Sequence, residues 1–476
     1  MNGGERKAQV CSIIKDTSSL TSRTSTKSDC GEPVVPSDAT SGTKVRFGLV
    51  RSKAIAIACL LLSACTALDT FAVNPSNATE VASSIVSPDF ERYREDTIRL
   101  MREKRAFQGD EASEIAMNAP REWHPPASAH NGRVQKGILL VHGLGDSPWS
   151  YSDIGPELAK RGFLVRTVLL SGHGTRPDDL MNVTLEDWRR VVQEQAETMR
   201  RDVGEVYLGG FSTGANLVLE YAYDHHDIAG LVLFSPGFKS LPLSWMAPAL
   251  AKVRPWLIRP DEGQSIQNSV RYLMVPTNGF AQFYYSSRAA QRLLARKPYD
   301  KPVFMVVAEH DSVLDTGYLL KTFQDRFIHP DSRLVWYGKA PAKLSQPERV
   351  LVQNDHLPEL RISQFSHMGL MFSPSNPLYG QGGSLRFCFN GQSRHATEAC
   401  EAGALVWYSD WGYDEKDKVH ARLTFNPYFT WQTSVMASVL DAARLDKRSS
   451  ASAISIGHYP AASSRRNLRA QQSFQQ

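Results

Sequence analysis

Five short apolar runs set the main constraint on what this chain can fold into. They are "GILLVHG" from Gly137, "FLVRTVLL" (Phe163–Leu170), "VYLGG" (Val206–Gly210), "LVLF" (Leu231–Phe234) and "VFMVV" (Val303–Val307). None alternates apolar with polar residues, so none suits a strand with one wet face. Strands buried on both faces belong to parallel sheets covered by helices on each side. The intervening segments supply those helices. "SYSDIGPELAKRG" begins with a serine/aspartate cap signal and ends on glycine. "TLEDWRRVVQEQAETMRRDV" opens on Thr184 and Asp187, a capping-box spacing, and sets Leu185, Trp188, Val192 and Met199 on one side. The expectation is an α/β chain with a doubly wound, mostly parallel sheet.

The alternation stops between Lys239 and Lys301, where "LPLSWMAPALAKVRPWLIRP" and "QFYYSSRAAQRLLARK" are rich in aromatics and proline. This stretch is expected to be an inserted helical lid, residues 239–301. It divides the core into a first part, 136–238, and a second, 302–445. A further irregular stretch is expected from Lys339 to Pro358. Upstream, residues 66–135 hold a linker and one amphipathic helix over Pro88–Phe107, its stripe made by Phe90, Tyr93, Ile98 and Met101. No entry hairpin is evident before Gly137. Residues 446–476, rich in Ser, Gln, Ala and Arg, read as a disordered tail.

Charge is concentrated at the ends. The formal net charge is +5; nine basic and five acidic residues in 1–58, with five basic and no acidic residues in 447–476, make the ends alone more positive than the whole. The body between them is net acidic, so the basic balance describes tails and gives no nucleic-acid-binding face. Residues 1–65 read as a Ser/Thr-rich extension followed by a leader. "RSKAIAIACLLLSAC" (Arg51–Cys65) places basic residues before a short apolar run. Its "LSAC" resembles the bacterial lipoprotein cleavage box, in which the cysteine is acylated, and this implies Cys65 as a membrane anchor and an exported protein, periplasmic or membrane-anchored. An ordinary cleaved signal or a short buried helix remain open. Beyond the leader only Cys388 and Cys400 remain. In an oxidising compartment so close a pair reads as a disulfide, the alternative being two buried thiols.

One serine stands among small residues. Gly210-Phe211-Ser212-Thr213-Gly214 fits G-x-S-x-G, with the apolar "VYLGG" before it and the helical "GANLVLEYAY" after it. Small neighbours allow a sharp strand-to-helix turn that lifts the hydroxyl clear of the backbone. A serine hydroxyl is a weak nucleophile, so it requires a base, an orienting acid and donors for the oxyanion.

"VHGLG" (Val141–Gly145) and "LLSGHGTRPDDL" (Leu169–Leu180) carry a resemblance to the α/β-hydrolase family of serine esterases and lipases, within it the monoacylglycerol lipase, lysophospholipase and bacterial carboxylesterase branch. The resemblance implies Ser212 as nucleophile and the amides of Leu144 and Thr213 as the oxyanion hole. It implies Asp311, in "VFMVVAEHDSVLD", as orienting acid, with Ala308 where the family has glycine. Glu309 and Asp315 are the neighbouring carboxylates, Asp315 suiting a helix cap. It implies His367, in "LRISQFSHMGL", as the base, with His356 the reserve candidate. His142 and His173 are expected to be structural. The expected activity is hydrolysis of carboxylic esters of small-molecule or lipid type, with no cofactor and no metal; a serine at the elbow argues against the family's carboxylate-nucleophile dehalogenases and epoxide hydrolases. An acyltransferase on the same triad and a non-catalytic lipoprotein scaffold are the alternatives.

Overall fold

The computed structural model describes residues 90–126, 134–240, 242–260 and 265–455, with side chains of the last helix described to residue 442. The leader with Cys65, the linker up to residue 89 and residues 456–476 lie outside the described residues.

Eight strands form one sheet: β1 (Glu122–Trp123), β2 (Val134–Val141), β3 (Phe163–Val168), β4 (Val203–Phe211), β5 (Leu231–Phe234), β6 (Val303–Ala308), β7 (Arg333–Tyr337) and β8 (Val350–Gln353). Their spatial order is β1-β3-β2-β4-β5-β6-β7-β8. Every pairing is parallel except β1 with β3. The expected doubly wound, mostly parallel sheet is therefore present. The apolar runs become strands because both faces are dry. Along β2, Leu139 and Val141 join one apolar cluster with Leu208, Trp188, Val218 and Phe323. Ile138 and Leu140 join the other, with Tyr207, Phe304, Val306 and Met436. This is the two-residue period of a strand sandwiched between two cores.

Helices α1 (Phe90–Lys104) and α2 (Glu111–Asn118) precede the sheet. The α1 stripe buries Phe90, Tyr93, Thr97 and Met101, close to the expected one. Among the described residues before β2, the two-residue β1 is tied to β3 by Arg121 and Thr167, whose amides donate in turn to Thr167 Oγ1 at 2.8 Å and to the Arg121 carbonyl at 3.0 Å. Helix α3 (Ile154–Lys160) follows β2, and α4 (Leu185–Asp202) leads into β4. The Thr184–Asp187 capping box on α4 is formed in both directions. Asp153, just before α3, makes no cap bond. Its carboxylate instead accepts the Ser373 amide at 2.7 Å and the Asn376 side chain at 3.0 Å.

Helix α5 (Thr213–Asp224) follows β4. Between β5 and β6 lie the four-residue α6 (Ala247–Leu250) and the long α7 (Thr277–Arg296). Here the lid expectation needs correction. The 239–301 segment is not a helical lid throughout, because α7 packs on α5 as part of the core layer. It buries Phe283 and Ala290, and Asn216 on α5 donates to Ser286 Oγ on α7 at 2.9 Å. Only the stretch up to residue 276 stands outside that layer, and it is mostly irregular.

Helix α8 (Thr316–Arg326) precedes β7. The expected irregular stretch from Lys339 to Pro358 contains β8, the edge strand, paired with β7 over Leu334–Tyr337. Beyond it, residues 368–428 carry α9 (Arg394–Glu401) and a two-stranded parallel ribbon, β9 (Val406–Ser409) with β10 (Val419–Arg422). Cys388 and Cys400 form a disulfide with a Cα–Cα separation of 5.5 Å. The final helix α10 spans Phe429–Ser455. It continues ten residues into the expected disordered tail, over an alanine- and serine-containing stretch that keeps a workable helix propensity.

Candidate active site

The carboxyl ends of parallel strands point to one edge of the sheet, and there the sequence-predicted residues emerge. Ser212 follows β4 with φ 53° and ψ −112°, a conformation that costs a non-glycine residue of order 1–3 kcal/mol and persists only when its surroundings enforce it. They do. The Ser212 amide donates to Phe234 O at 3.0 Å, and its carbonyl accepts the amides of Ala215 at 3.1 Å and Gly237 at 3.0 Å. The flanking glycines are required by close backbone approach. A Cβ on Gly214 would lie 2.0 Å from Val141 O, and one on Gly210 would lie 2.4 Å from Ala215 N. The serine itself is nearly buried, and Thr213 begins α5, whose first amides have no intrahelical acceptor.

The loop after β2 runs alongside. Gly145 adopts φ 72° and its amide donates to His173 Nε2 at 3.0 Å. His142 Nε2 accepts the Leu170 amide at 3.1 Å. Both imidazoles therefore present Nε2 as an acceptor and carry their proton on Nδ1, and both are buried. Burial pushes His142 down to about 4. Burial, with His142 next in weight, pushes His173 down to about 3. These are neutral structural histidines that shape the Gly143–Gly145 turn. Leu144, in that turn, is partly buried against the core.

Asp311 follows β6. Its Oδ1 accepts the amides of Val313 at 2.9 Å and Leu314 at 3.2 Å, which leaves Oδ2 for His367 Nδ1 at 2.6 Å. The Asp311 side chain is fully buried and that of His367 is 10% exposed. The His367 ring lies against Phe211, the residue before Ser212, with centroids 5.0 Å apart. Its carbonyl accepts Ser235 Oγ at 3.4 Å, at the end of β5. The imidazole–carboxylate pair thus sits at the same edge as the serine turn. The neighbouring carboxylates have other partners: Glu309 accepts the Lys339 amide at 2.6 Å, and Asp315 caps α8 through the Tyr318 amide at 2.9 Å. His356 is exposed and its Nδ1 lies 3.1 Å from Ser363 O.

Three features had no sequence signal. Ser235 adopts φ 38° beside the His367 loop. His310 pairs with Asp355 at 2.7 Å next to Asp311, and that hydrogen bond raises the imidazole above its ordinary range. Asp410, fully buried, accepts the Ser312 amide. Among the described residues no group of histidines, cysteines and carboxylates is arranged to hold a metal ion.

The sequence model of the family described as "Serine aminopeptidase, S33" matches residues 132–340. The chain has the α/β-hydrolase fold, and its residues 132–340 are similar to that family. The chain is 36% identical over 107 residues to the thermostable monoacylglycerol lipase of Bacillus sp. (strain H-257), a match covering 22% of this chain and 42% of the lipase. It therefore spans less than half the length of that relative. It is 26% identical over 233 residues to the carboxylesterase of Bacillus subtilis (strain 168), covering 46% of this chain and 90% of the esterase. A soluble variant of the monoglyceride lipase from Saccharomyces cerevisiae aligns structurally at 20% identity and a TM-score of 0.37, over 46% of this chain and 81% of that one. The family match ends at residue 340, so His367, Cys388, Cys400 and Asp410 all lie beyond it.

Proposed function

We propose that this α/β-hydrolase cleaves carboxylic esters through an acyl-enzyme on Ser212. The Ser212 hydroxyl oxygen attacks the ester carbonyl carbon while His367 Nε2 takes its proton. The tetrahedral oxyanion is held by the amides of Leu144 and Thr213. Its collapse breaks the bond to the alcohol oxygen, which receives the proton from His367. Water, deprotonated by the same imidazole, then attacks the acyl-enzyme and releases the acid. Asp311 fixes the proton on Nδ1 and balances the imidazolium. The observation that carries this reading is the buried Asp311–His367 pair at 2.6 Å, at the sheet edge where Ser212 is held at φ 53°.

The substrate we propose is lipid-like. Support comes from the apolar surface of the segment between β5 and α7, where Trp245 is 64%, Val253 81% and Ile258 72% exposed, and from the lipase and esterase relatives. Such a surface can take an acyl chain out of water. Export as a lipoprotein anchored through Cys65 is part of the same proposal and is supported by the Cys388–Cys400 disulfide, a bond of oxidising compartments. Among the described residues no helix is long and apolar enough to cross a membrane.

A fluorophosphonate probe tests the nucleophile. The native protein should be labelled and Ser212→Ala should not. Labelling of neither would leave the scaffold reading. Turnover of p-nitrophenyl esters from acetate to long acyl chains, and of monoacylglycerol, tests the substrate; a preference for the shortest chains would sink the lipid assignment. Transfer of the acyl group to added glycerol in preference to water would replace hydrolase by acyltransferase. Incorporation of radiolabelled palmitate in bacteria, lost in Cys65→Ser, tests the anchor.

A further inference from the structure

The β9–β10 ribbon touches both loops that carry the proposed acid and base. On the base side, the Ser363 amide donates to Tyr408 O at 2.8 Å, and Ser366 Oγ donates to Leu423 O, just past β10. On the acid side the contact is Asp410, the residue after β9. Its Oδ2 accepts the amide of Ser312, the residue after Asp311. The Asp410 side chain is wholly buried; its Oδ1 has no hydrogen-bond partner of good geometry, and the Trp411 backbone adds only a lesser contact. A carboxylate left half-satisfied out of water is costly unless a positive charge or a function retains it.

The residue is also held rigidly. The Asn390 side chain donates to Ser409 Oγ at 3.1 Å and to Asp410 O at 3.2 Å. Asn390 Oδ1 in turn accepts Arg422 Nε at 2.6 Å. Charged groups meet Asp410 from two sides: Asp311 from the loop after β6, and Arg422 from β10, with Arg271 behind Arg422. His367 reaches this group through Asp311. Burial, then the Asp311 charge, pushes the Asp410 carboxyl up, and Arg422 opposes that.

We propose that Asp410 is a positioning residue of the active site: through the Ser312 amide it sets the turn that aims Asp311 at His367, and its charge, with that of Arg422, sets the proton affinity of the His367–Asp311 pair. This rests on the triad assignment above. Asp311 uses both oxygens already, one on two backbone amides and one on the imidazole, so its aim depends on the Val313–Leu314 turn. The Ser312 amide lies inside that turn and is tethered from outside by Asp410 alone among the described contacts.

The charge gives a signature that a purely structural residue lacks. An ionised Asp410 favours the imidazolium, and Arg422 disfavours it. Asp410→Asn keeps an acceptor for the Ser312 amide and removes the charge. It should lower the His367 proton affinity and move the acid limb of kcat/KM down by about one pH unit. Arg422→Gln should move it up. The direct readout is the NMR pH titration of His367, identified by the loss of its signal in His367→Ala, and it needs no turnover. Opposite displacements in the two variants support the proposal. A His367 titration that matches the wild type in both, or moves the same way in both, overturns it. Asp410→Ala, which also removes the acceptor, should lower kcat about tenfold beyond Asp410→Asn; equal kcat in the two would overturn the turn-setting part. A wild-type protein that titrates as expected but cleaves no ester would count against the proposed function and leave the Asp410 relationship standing.

Discussion

His367 Nδ1 and Asp311 Oδ2 lie 2.6 Å apart, joining two loops 56 residues distant in the chain. Asp311 has one oxygen on the imidazole and the other on two backbone amides, so replacing it should scramble the imidazole tautomer without disturbing the strand that carries it. Asp311→Asn should lower kcat by about 10³–10⁴ with KM little changed. Steady-state kinetics on a soluble ester, with circular dichroism to confirm folding, check this. A tenfold loss or less would remove Asp311 from its assigned role.

The glycine after Thr213 makes a second prediction. A methyl group on Gly214 would meet the carbonyl oxygens of Val141 at 2.0 Å and His142 at 2.6 Å, both backbone. Backbone cannot swing aside as a side chain can. Gly214→Ala should cost about 1–3 kcal/mol of stability and push the β2 loop away from Ser212. Denaturation midpoint and probe labelling rate should fall together; a fully active, fully stable variant would show that the serine turn is looser than its geometry implies.

Stability should depend on pH through the buried histidines His142 and His173, with His420, also lowered by burial, acting in the same sense. His142 and His173 are depressed, to about 4 and about 3, from an unfolded value of 6.5. On acidification the unfolded chain takes up these protons first. The folded state is therefore at full advantage above pH 6.5 and loses ground as pH falls toward the folded values. The slope approaches about 1.4 kcal/mol per pH unit for each histidine. His310, raised by its bond to Asp355, works in the opposite sense, its contribution present at low pH and lost as pH rises through the folded value. Urea denaturation between pH 7 and 5, where carboxylates change little, isolates the effect. A flat or rising stability toward pH 5 would contradict it.

The disulfide makes a fourth. Cys388 and Cys400 close a loop of 12 residues and flank Asn390, which holds Asp410. Replacing both by serine should cost up to about 3 kcal/mol. Proteolysis between residues 380 and 422 should accelerate while the sheet stays protected. Unchanged cleavage there would mean that the ribbon is held by its other contacts.

Much of the fold was legible because a strand dry on both faces needs a mostly apolar run, and β2 through β6 each carry one. The serine turn was legible because its backbone approach demands glycine. Less was readable where a requirement is weaker. The edge strand β8 is half-buried and begins just after Pro347, so "VLVQ" carries little pattern. The strand β1 has only two residues. Helix α7 shares its aromatic composition with the segment before it, and only its contact with α5 separates core layer from cover. Asp410 has no motif at all, since its partner is a backbone amide, which leaves no mark on sequence.

On the proposed assignment, the chain order has a consequence for biosynthesis. The nucleophile is made at residue 212 and the acid at 311, but the base comes at 367 and the ribbon that braces both loops ends at 422. A nascent chain exposing the serine turn has no imidazole to activate it. The enzyme so assigned is thus latent while it emerges from the ribosome, and becomes competent only when residues 367–422 have docked.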